Sequence, residues 1–386
     1  MKSAVVIPWA EGHSGLCCIR SLGKKNVKVI AASSENNAIG FRSKYTTEKL
    51  IYPNPNIDFE GFSEFILNQC KRRDILTVFP LTEYDIYTLS KHRDIISNHI
   101  PTIFPSFKTV RKTQDRIKLY KIAKELGIPI IKTWLLGEKN KSDNELYIVK
   151  PRYSVLEKEN KLIKGNVRYL ENNDSVDEEV IIKEMGHVPI VQEYIDGEEY
   201  GFYSLFYEGK PIAKFQQHRI RSINYKGGAS SFREFIKKTE LEKLGLNLLK
   251  KLRWHGPAMV EFKKDNRTGE FKLMEVNPRF WGSLSLSVFS GLDLPYLYYE
   301  LSKNNNCRIP FSYKENIKAQ YFIGEICHLF SIVFNKQVGH IPKPNFFKNF
   351  FSVISNAPSS RHDVFDLNDF RPFLQDIINL LRANFA

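Results

Sequence analysis

A chain of 386 residues with 42% hydrophobic, 13% aromatic and 26% charged residues has the composition of a globular protein of two or three domains, which excludes disorder, collagen and a lone small module. Its net charge of +14, from 57 Lys and Arg against 43 Asp and Glu, suits anionic partners: nucleic acid, an anionic membrane or anionic small substrates. The basic residues are scattered, without Arg/Gly tracts, an RNP-type strand or a helix-turn-helix signature, so no nucleic-acid partner is expected.

No apolar run approaches the roughly 18 residues that cross a bilayer, and Glu11 interrupts the start before a signal-peptide core could form. The adjacent pair Cys17-Cys18 has neither a zinc spacing nor an easy disulfide spacing. The five cysteines are expected to be reduced thiols in a cytoplasmic protein.

In chain order, AVVIPWA (4 to 10) reads as a strand, GHSG (12 to 15) as a turn opening a helix to Leu22, and NVKVIAAS (26 to 33) as a second strand: a βαβ opening. ILTVFPL (75 to 81), a helical stretch through Leu89 and IPTIFP (100 to 105) continue a parallel sheet, giving a small Rossmann-like doubly wound domain that ends at residue 107. TQDRIKLYKIAKELGIP predicts one amphipathic helix from Thr113 that stops at Gly127. A polar stretch from Gly137 to Asn144 leads to the strand LYIVKP, and the charged segment from Arg152 to Glu179 is expected to be a flap that orders only with nucleotide, with few apolar residues to anchor it. IPI (128 to 130), VPIVQEYI (188 to 195), GFYSLFY (201 to 207), PIAKFQQHRI (211 to 220), AMVEFKKD (258 to 265) and FKLMEVNP (271 to 278) read as strands of an α+β region, the last two joined by an Asn-Arg-Thr-Gly turn. In the remaining C-terminal stretch Phe346, Phe347, Phe350, Phe351 and Ile354 fall on one helical face, read chiefly as packing, with an interface or membrane-surface helix as the other reading.

The most informative block is MVEFKKDNRTGEFKLMEVNPRFWG, Met259 to Gly282. Glu275 and Asn277, two residues apart on a strand, share a face, and the tight turn brings Glu261 of the paired strand alongside. Three oxygen donors then converge as a hard divalent cation requires, Mg²⁺ or Mn²⁺. Arg279, one further step along that face, is suited to neutralising charge on phosphate oxygens during transfer. In QQHRIRS, a His beside two Arg (His218, Arg219, Arg221) points to ion binding more than to core packing.

EVNPRFWGS, with an acidic residue fourteen positions before its Glu and following an IVKP strand and a VQEYIDGEE segment, resembles the ATP-grasp superfamily, with a carbamoyl-phosphate-synthase-type ATP-binding domain. The resemblance implies that Lys150, ending the Lys-Pro strand, and Arg116, on the helix that closes with Gly-Ile-Pro, contact the nucleotide phosphates. It implies further that backbone near Glu193 and Ile195 reads the purine edge, that Gln192 bonds the exocyclic amine, and that Glu199 holds the ribose hydroxyls. His218 and Arg219 match a strand whose basic residues bind the transferred phosphate or the substrate carboxylate. Gly12, Gly15 and the loop PLTEYD (80 to 85) become candidates for the acceptor-substrate pocket. One departure is that the usual Gly/Ser-rich flap is replaced by RYSVLEKENKLIKGNVRYLE, in which Arg152 and Lys158 are the candidates to take its place.

The architecture expected is an N-terminal α/β domain (1–107), an ATP-grasp lid subdomain (108–187), a catalytic subdomain (188–303) and a Phe-rich C-terminal extension (304–386). The function implied is ADP-forming carboxylate–amine ligation through an acyl phosphate, with ATP, Mg²⁺ (or Mn²⁺) and small amino-acid-like carboxylate and amine substrates, and with homo-oligomerisation open. The catalytic set is Arg279, Lys150, His218 and Arg219, and the metal set Glu261, Glu275 and Asn277. Two alternatives stand beside it: a non-catalytic ATP-binding regulator, and a dinucleotide oxidoreductase using Gly12, Gly15 and Glu35.

Overall fold

The computed structural model describes residues 2–138, 146–171, 177–309, 313–339 and 341–385, without the side chains of 383–385. Most of the polar stretch from Gly137 to Asn144, and residues 172–176 of the charged segment, lie outside the described residues.

Ala4–Ile7 (β1) and Val29–Ser33 (β2) are buried at every position. Glu48–Ile51 (β3) is half exposed, and Ile75–Val78 (β4) is again wholly buried. Continuous apolar strands are what a parallel sheet covered on both faces needs, and these four form one, ordered β3-β2-β1-β4. β3 was not foreseen, because EKLI on a sheet edge has no apolar run. Conversely IPTIFP forms no strand. Ile103 and Phe104 are buried in irregular chain against Gly256 (φ +90), where a Cβ would stand 2.4 Å from the Ile103 carbonyl oxygen. One face of this sheet packs on Phe280, Trp281 and the helix Leu294–Asn304, so the C-terminal end of the metal-candidate hairpin is tied to the first sheet.

Thr133–Leu135 (β5) and Leu146–Lys150 (β6) are followed by a hairpin of Leu156–Lys158 (β7) and Lys161–Ile163 (β8), then Arg168–Glu171 (β9) and Ile190–Glu193 (β10). The sheet is antiparallel, ordered β5-β10-β6-β9. IPI at 128 to 130 contributes only a single bridge, Ile130 to Leu273. The expected flap is corrected here. Val155 and Leu162 are fully buried in the first domain's core, Leu162 N–H donates to the Pro55 carbonyl, and Phe59 N–H donates to the Asn160 carbonyl. Glu157 accepts from Tyr87 and Lys91, so the β7–β8 hairpin is docked on the first sheet's helices. Arg152 is likewise anchored, by bonds of 3.0 and 2.9 Å to Asp115.

Asp115 also breaks the expected single helix: Phe107–Gln114 ends there and Arg116–Glu125 begins, with the Asp115 carboxylate capping Ile117 and Lys118 N–H. Such a cap puts Arg116 at the first helical position, facing the second sheet.

Gly197–Tyr207 (β11), Lys210–Asn224 (β12), Gly227–Phe235 (β13), Gly256–Asp265 (β14), Phe271–Asn277 (β15), Lys318–Gln320 (β16) and Arg361–His362 (β17) make a seven-stranded sheet, ordered β15-β14-β11-β12-β13-β16-β17. The pair Gly227-Gly228 (φ +134 and +106) opens β13 at a hairpin turn. β16 and β17 come from the C-terminal stretch and extend the same sheet. Tyr194, Ile195 and Asp196 join this sheet to the β5-β10-β6-β9 sheet.

Candidate functional site

The β14–β15 register sets Glu261 opposite Glu275 and Met259 opposite Asn277. A bulge after Glu261, with Met274 the extra residue, re-aims the carboxylates, and the Met274 carbonyl accepts a 2.7 Å bond from Tyr120. Asn277 Nδ2 donates to Glu261 at 3.2 Å and to Glu275 at 3.0 Å. Burial pushes the Glu261 carboxyl up, with Glu275 beside it adding to the rise. Burial also opposes charge on Glu275, but Arg116 and hydrogen bonds from Glu261 and Asn277 hold it well below the usual carboxylate range. The two buried carboxyls, set opposite each other, are thus pushed apart in acidity, as two like charges in one site are.

Each carboxylate is answered by a guanidinium. Arg116 reaches Glu275 at 2.8 Å and the Pro151 carbonyl at 2.7 Å. Arg219 bridges Glu261, at 2.7 Å, and Glu199. Arg279 pairs with Glu83 of the 80-to-85 loop at 3.0 Å and reaches Asn277 Oδ1 at 3.4 Å. Arg116 Nε and Arg219 Nε are buried with no hydrogen-bond partner among the described residues, so two donors at this face stand unfilled. The facing wall is different. Lys150 is buried and donates to Gln192 Oε1 at 2.6 Å, while Gln192 Nε2 donates to Tyr120 and Thr133. Burial pushes the Lys150 ammonium down to about 7, and the neighbouring Arg116 charge pushes the same way.

The structure therefore brings Glu261, Glu275, Asn277, Arg279, Arg116, Arg219 and Lys150 to one cleft. It does not bring His218 there. Adjacent strand residues point to opposite faces, so with Arg219 in the cleft His218 lies behind it, stacked on Tyr200 at 4.7 Å and bonded to Glu234 at 3.1 Å. Arg221 is also removed from the site: a bulge after Arg219 turns it into a buried pair with Glu325. Gln192 is occupied beneath Lys150, so its oxygen is not free for a purine amine. Glu193 N–H donates to the Lys132 carbonyl and its carboxylate faces Lys132 at 3.5 Å. Ile195 is buried in the segment joining the two sheets, and Glu199 lies at the cleft beside Arg219.

Sequence reasoning missed Lys164. It follows β8, stands over the Tyr84 ring at 4.4 Å, and has Glu83, Arg279, Asp85 and Glu275 for charged neighbours. The docked hairpin puts it between the carboxylate hairpin and a cavity of about 260 Å³ at the carboxyl ends of the first sheet, lined by Trp9, Glu11, Thr82, Tyr84 and Asp85. Its signal was present, a Lys before the only glycine of the segment RYSVLEKENKLIKGNVRYLE, but the partner face was not. Gly12 has another explanation than pyrophosphate approach: a Cβ there would stand 1.8 Å from the Trp9 indole nitrogen, so the ring fills that space.

Two carboxylates set opposite each other in a buried place form a hard donor pair whose mutual repulsion a divalent cation would relieve, and Asn277, which turns its Nδ2 to them and its Oδ1 toward Arg279, would add an amide oxygen on rotating its side-chain amide; the residues fit Mg²⁺.

Residues 187–322 match the sequence model of a family described as ATP-grasp in the biosynthetic pathway with Ter operon. No curated protein sequence matches the chain. Among solved structures, the chain is similar to pyruvate carboxylase from Rhizobium etli, with TM-score 0.60 and 14% identity over 78% of this chain, and it spans 28% of that protein's chain. It is similar to the biotin carboxylase domain of the Hydrogenobacter thermophilus 2-oxoglutarate carboxylase, in complex with MgADP, ADP and bicarbonate, with TM-score 0.62 and 15% identity over 82% of this chain and 73% of that one. An L-amino acid ligase from Bacillus licheniformis matches with TM-score 0.58 and 16% identity, over 79% of this chain and 74% of that one. The chain therefore has the ATP-grasp fold, and the segment 187–322 that carries Glu261, Glu275 and Asn277 matches an ATP-grasp family in sequence as well.

Proposed function

We propose that the protein is an ATP-dependent, ADP-forming carboxylate–amine ligase, with ATP between the β5-β10-β6-β9 sheet and the seven-stranded sheet. The observation that carries the reading is the Glu261–Glu275–Asn277 hairpin with a guanidinium set against each carboxylate. Glu261, Glu275 and Asn277 would hold Mg²⁺, which would supply positive charge to offset that of the phosphates. As ligand enters, Arg116 and Arg219 exchange their carboxylate partners for phosphate, each with a spare Nε donor for the new contact. Lys150 supplies a point charge to the phosphates from the opposite wall. Arg279, held by Glu83, faces the transferred group from the side of the first sheet.

The γ-phosphoryl passes to a substrate carboxylate oxygen as the bond to ADP breaks. An amine then attacks the acyl carbon, phosphate leaves, and the amine nitrogen loses a proton, giving an amide. Such chemistry is positioning and charge neutralisation, so no side-chain nucleophile is needed. The acceptor would occupy the cavity beside Tyr84 and Asp85, and Tyr194 to Asp196 would read the purine. The domain limits 1–107, 108–187, 188–303 and 304–386 and a cytoplasmic setting belong to the same proposal; the five cysteines are free thiols.

The docked hairpin, which lacks a glycine flap, favours one second reading, a nucleotide binder without turnover. A screen of carboxylates and amino acids for ADP release separates the two. Release that depends on both acceptor and divalent cation supports the ligase; ATP affinity with no release from any acceptor supports the binder.

A further inference from the structure

The helices Phe322–Phe334 and Phe346–Asn356 pack against each other on the outside of the seven-stranded sheet. The first is fixed to β12 by Glu325 on Arg221 and by His328 on the Ser222 carbonyl. The second is barely held. Val353 is its one buried residue, and Ser352 accepts from Arg221 at 2.9 Å.

Phe347, Phe350, Phe351 and Ile354 recur at helical spacing and turn outward, Phe347 and Phe351 being 67% and 66% exposed. On the neighbouring helix Phe330, Val333 and Phe334 repeat the pattern, with Phe334 73% exposed. Packing against the body, the reading preferred from sequence for this stripe, is therefore not where these rings go. Apolar stripes on two adjacent helices are surfaces that soluble chains normally bury.

The charge pattern says what covers them. From residue 326 to residue 362 there is no Asp or Glu, while Lys336, Lys343, Lys348 and Arg361 are all exposed. None of the three lysines is in an ion pair among the described residues. The same stretch has no Tyr or Trp, the residues that dominate protein–protein hot spots. Phe and Ile on one face with Lys alongside is the composition of a helix lying in a lipid interface, its rings at the acyl boundary and its ammonium groups at anionic headgroups. Among the described residues no helix is long and apolar enough to cross a membrane, so contact would be along the surface. We propose that this Phe- and Lys-bearing face docks the protein on an anionic lipid surface, with β12 linking it to the cleft: Arg219 of that strand faces the site and Arg221 the docking helices.

The test is flotation of the full chain with vesicles of phosphatidylcholine alone or mixed with phosphatidylglycerol. The protein should float with the anionic vesicles, stay behind with the neutral ones, and release at high salt. Phe347→Ser with Phe351→Ser should weaken partitioning by roughly a hundredfold, and Lys343→Ala with Lys348→Ala by roughly tenfold or more. All four side chains are exposed, so melting should be unchanged, and the lysine pair keeps the test decisive if the Phe pair disturbs folding. The proposal is overturned by absence of anionic-vesicle binding, or by binding that either pair leaves untouched. It is equally overturned if sedimentation finds a dimer that the Phe pair dissolves while vesicles go unbound, since the face would then belong to a second copy.

Discussion

The two walls of the cleft treat charge in opposite ways. Beside the carboxylate hairpin each of three guanidinium groups has an anionic answer: Arg116 with Glu275, Arg219 with Glu261 and Glu199, Arg279 with Glu83. On the smaller sheet Lys150 is buried against a neutral amide, and its ammonium is pushed down to about 7. The difference teaches where ligand charge is needed. On the proposed reading one wall would trade its internal partners for cation and phosphate at nearly constant charge, while phosphate would give Lys150 a closer anion than Glu275 and Glu261.

Breaking the paired wall should have the largest effect. Glu275→Ala removes both a cation donor and the partner of Arg116, and should slow turnover by about 3 kcal/mol or more, roughly two decades, with a near-normal melting curve. Unchanged turnover in a folded variant would remove the metal assignment. On the other wall, Lys150→Ala should weaken ATP binding by about 1.5 to 3 kcal/mol, measured by titration calorimetry; wild-type affinity would refute its role.

The contrast is sharpened by pH. Free Lys150 loses its proton near 7, below the ordinary lysine value of 10.5, whereas phosphate bound beside it favours the charged form. The complex then binds more protons than the free protein above pH 7, so ATP affinity should fall as pH rises, with proton uptake on binding. Lys150→Arg, whose charge is fixed, should flatten that slope. A smaller effect is expected behind the strand: His218→Ala should change turnover by less than about threefold and lower stability by about 1 kcal/mol through the lost Tyr200 stack, read by thermal melting. A decade lost in turnover would return His218 to the site. The smallest change is expected in the docked hairpin, where hydrogen exchange over 155–163 should be equal with and without MgATP.

What was legible in the chain follows from how local each feature is. A tight turn sets the register between Glu261 and Glu275, so spacing alone located the carboxylates. Strand parity could also have excluded His218 once Arg219 was chosen, since neighbours in a strand cannot face one way. The flap could not be read locally, because Val155 and Leu162 gain their anchor from helices nearly a hundred residues earlier. The same holds for Lys164, whose meaning comes from Tyr84 and Arg279, and for β16 and β17, three- and two-residue strands that exist only because β13 offers an edge.

The central claim is that the Glu261–Glu275–Asn277 hairpin and its guanidinium partners form a site for ATP with a divalent cation. Calorimetric titration of the wild-type protein with ATP, in saturating Mg²⁺ and again in chelator, tests it most directly. The account predicts binding at least tenfold tighter with Mg²⁺, a difference that Glu275→Gln abolishes while the protein stays folded. Equal affinity in Mg²⁺ and chelator, or a Mg²⁺ dependence that survives Glu275→Gln, would contradict it.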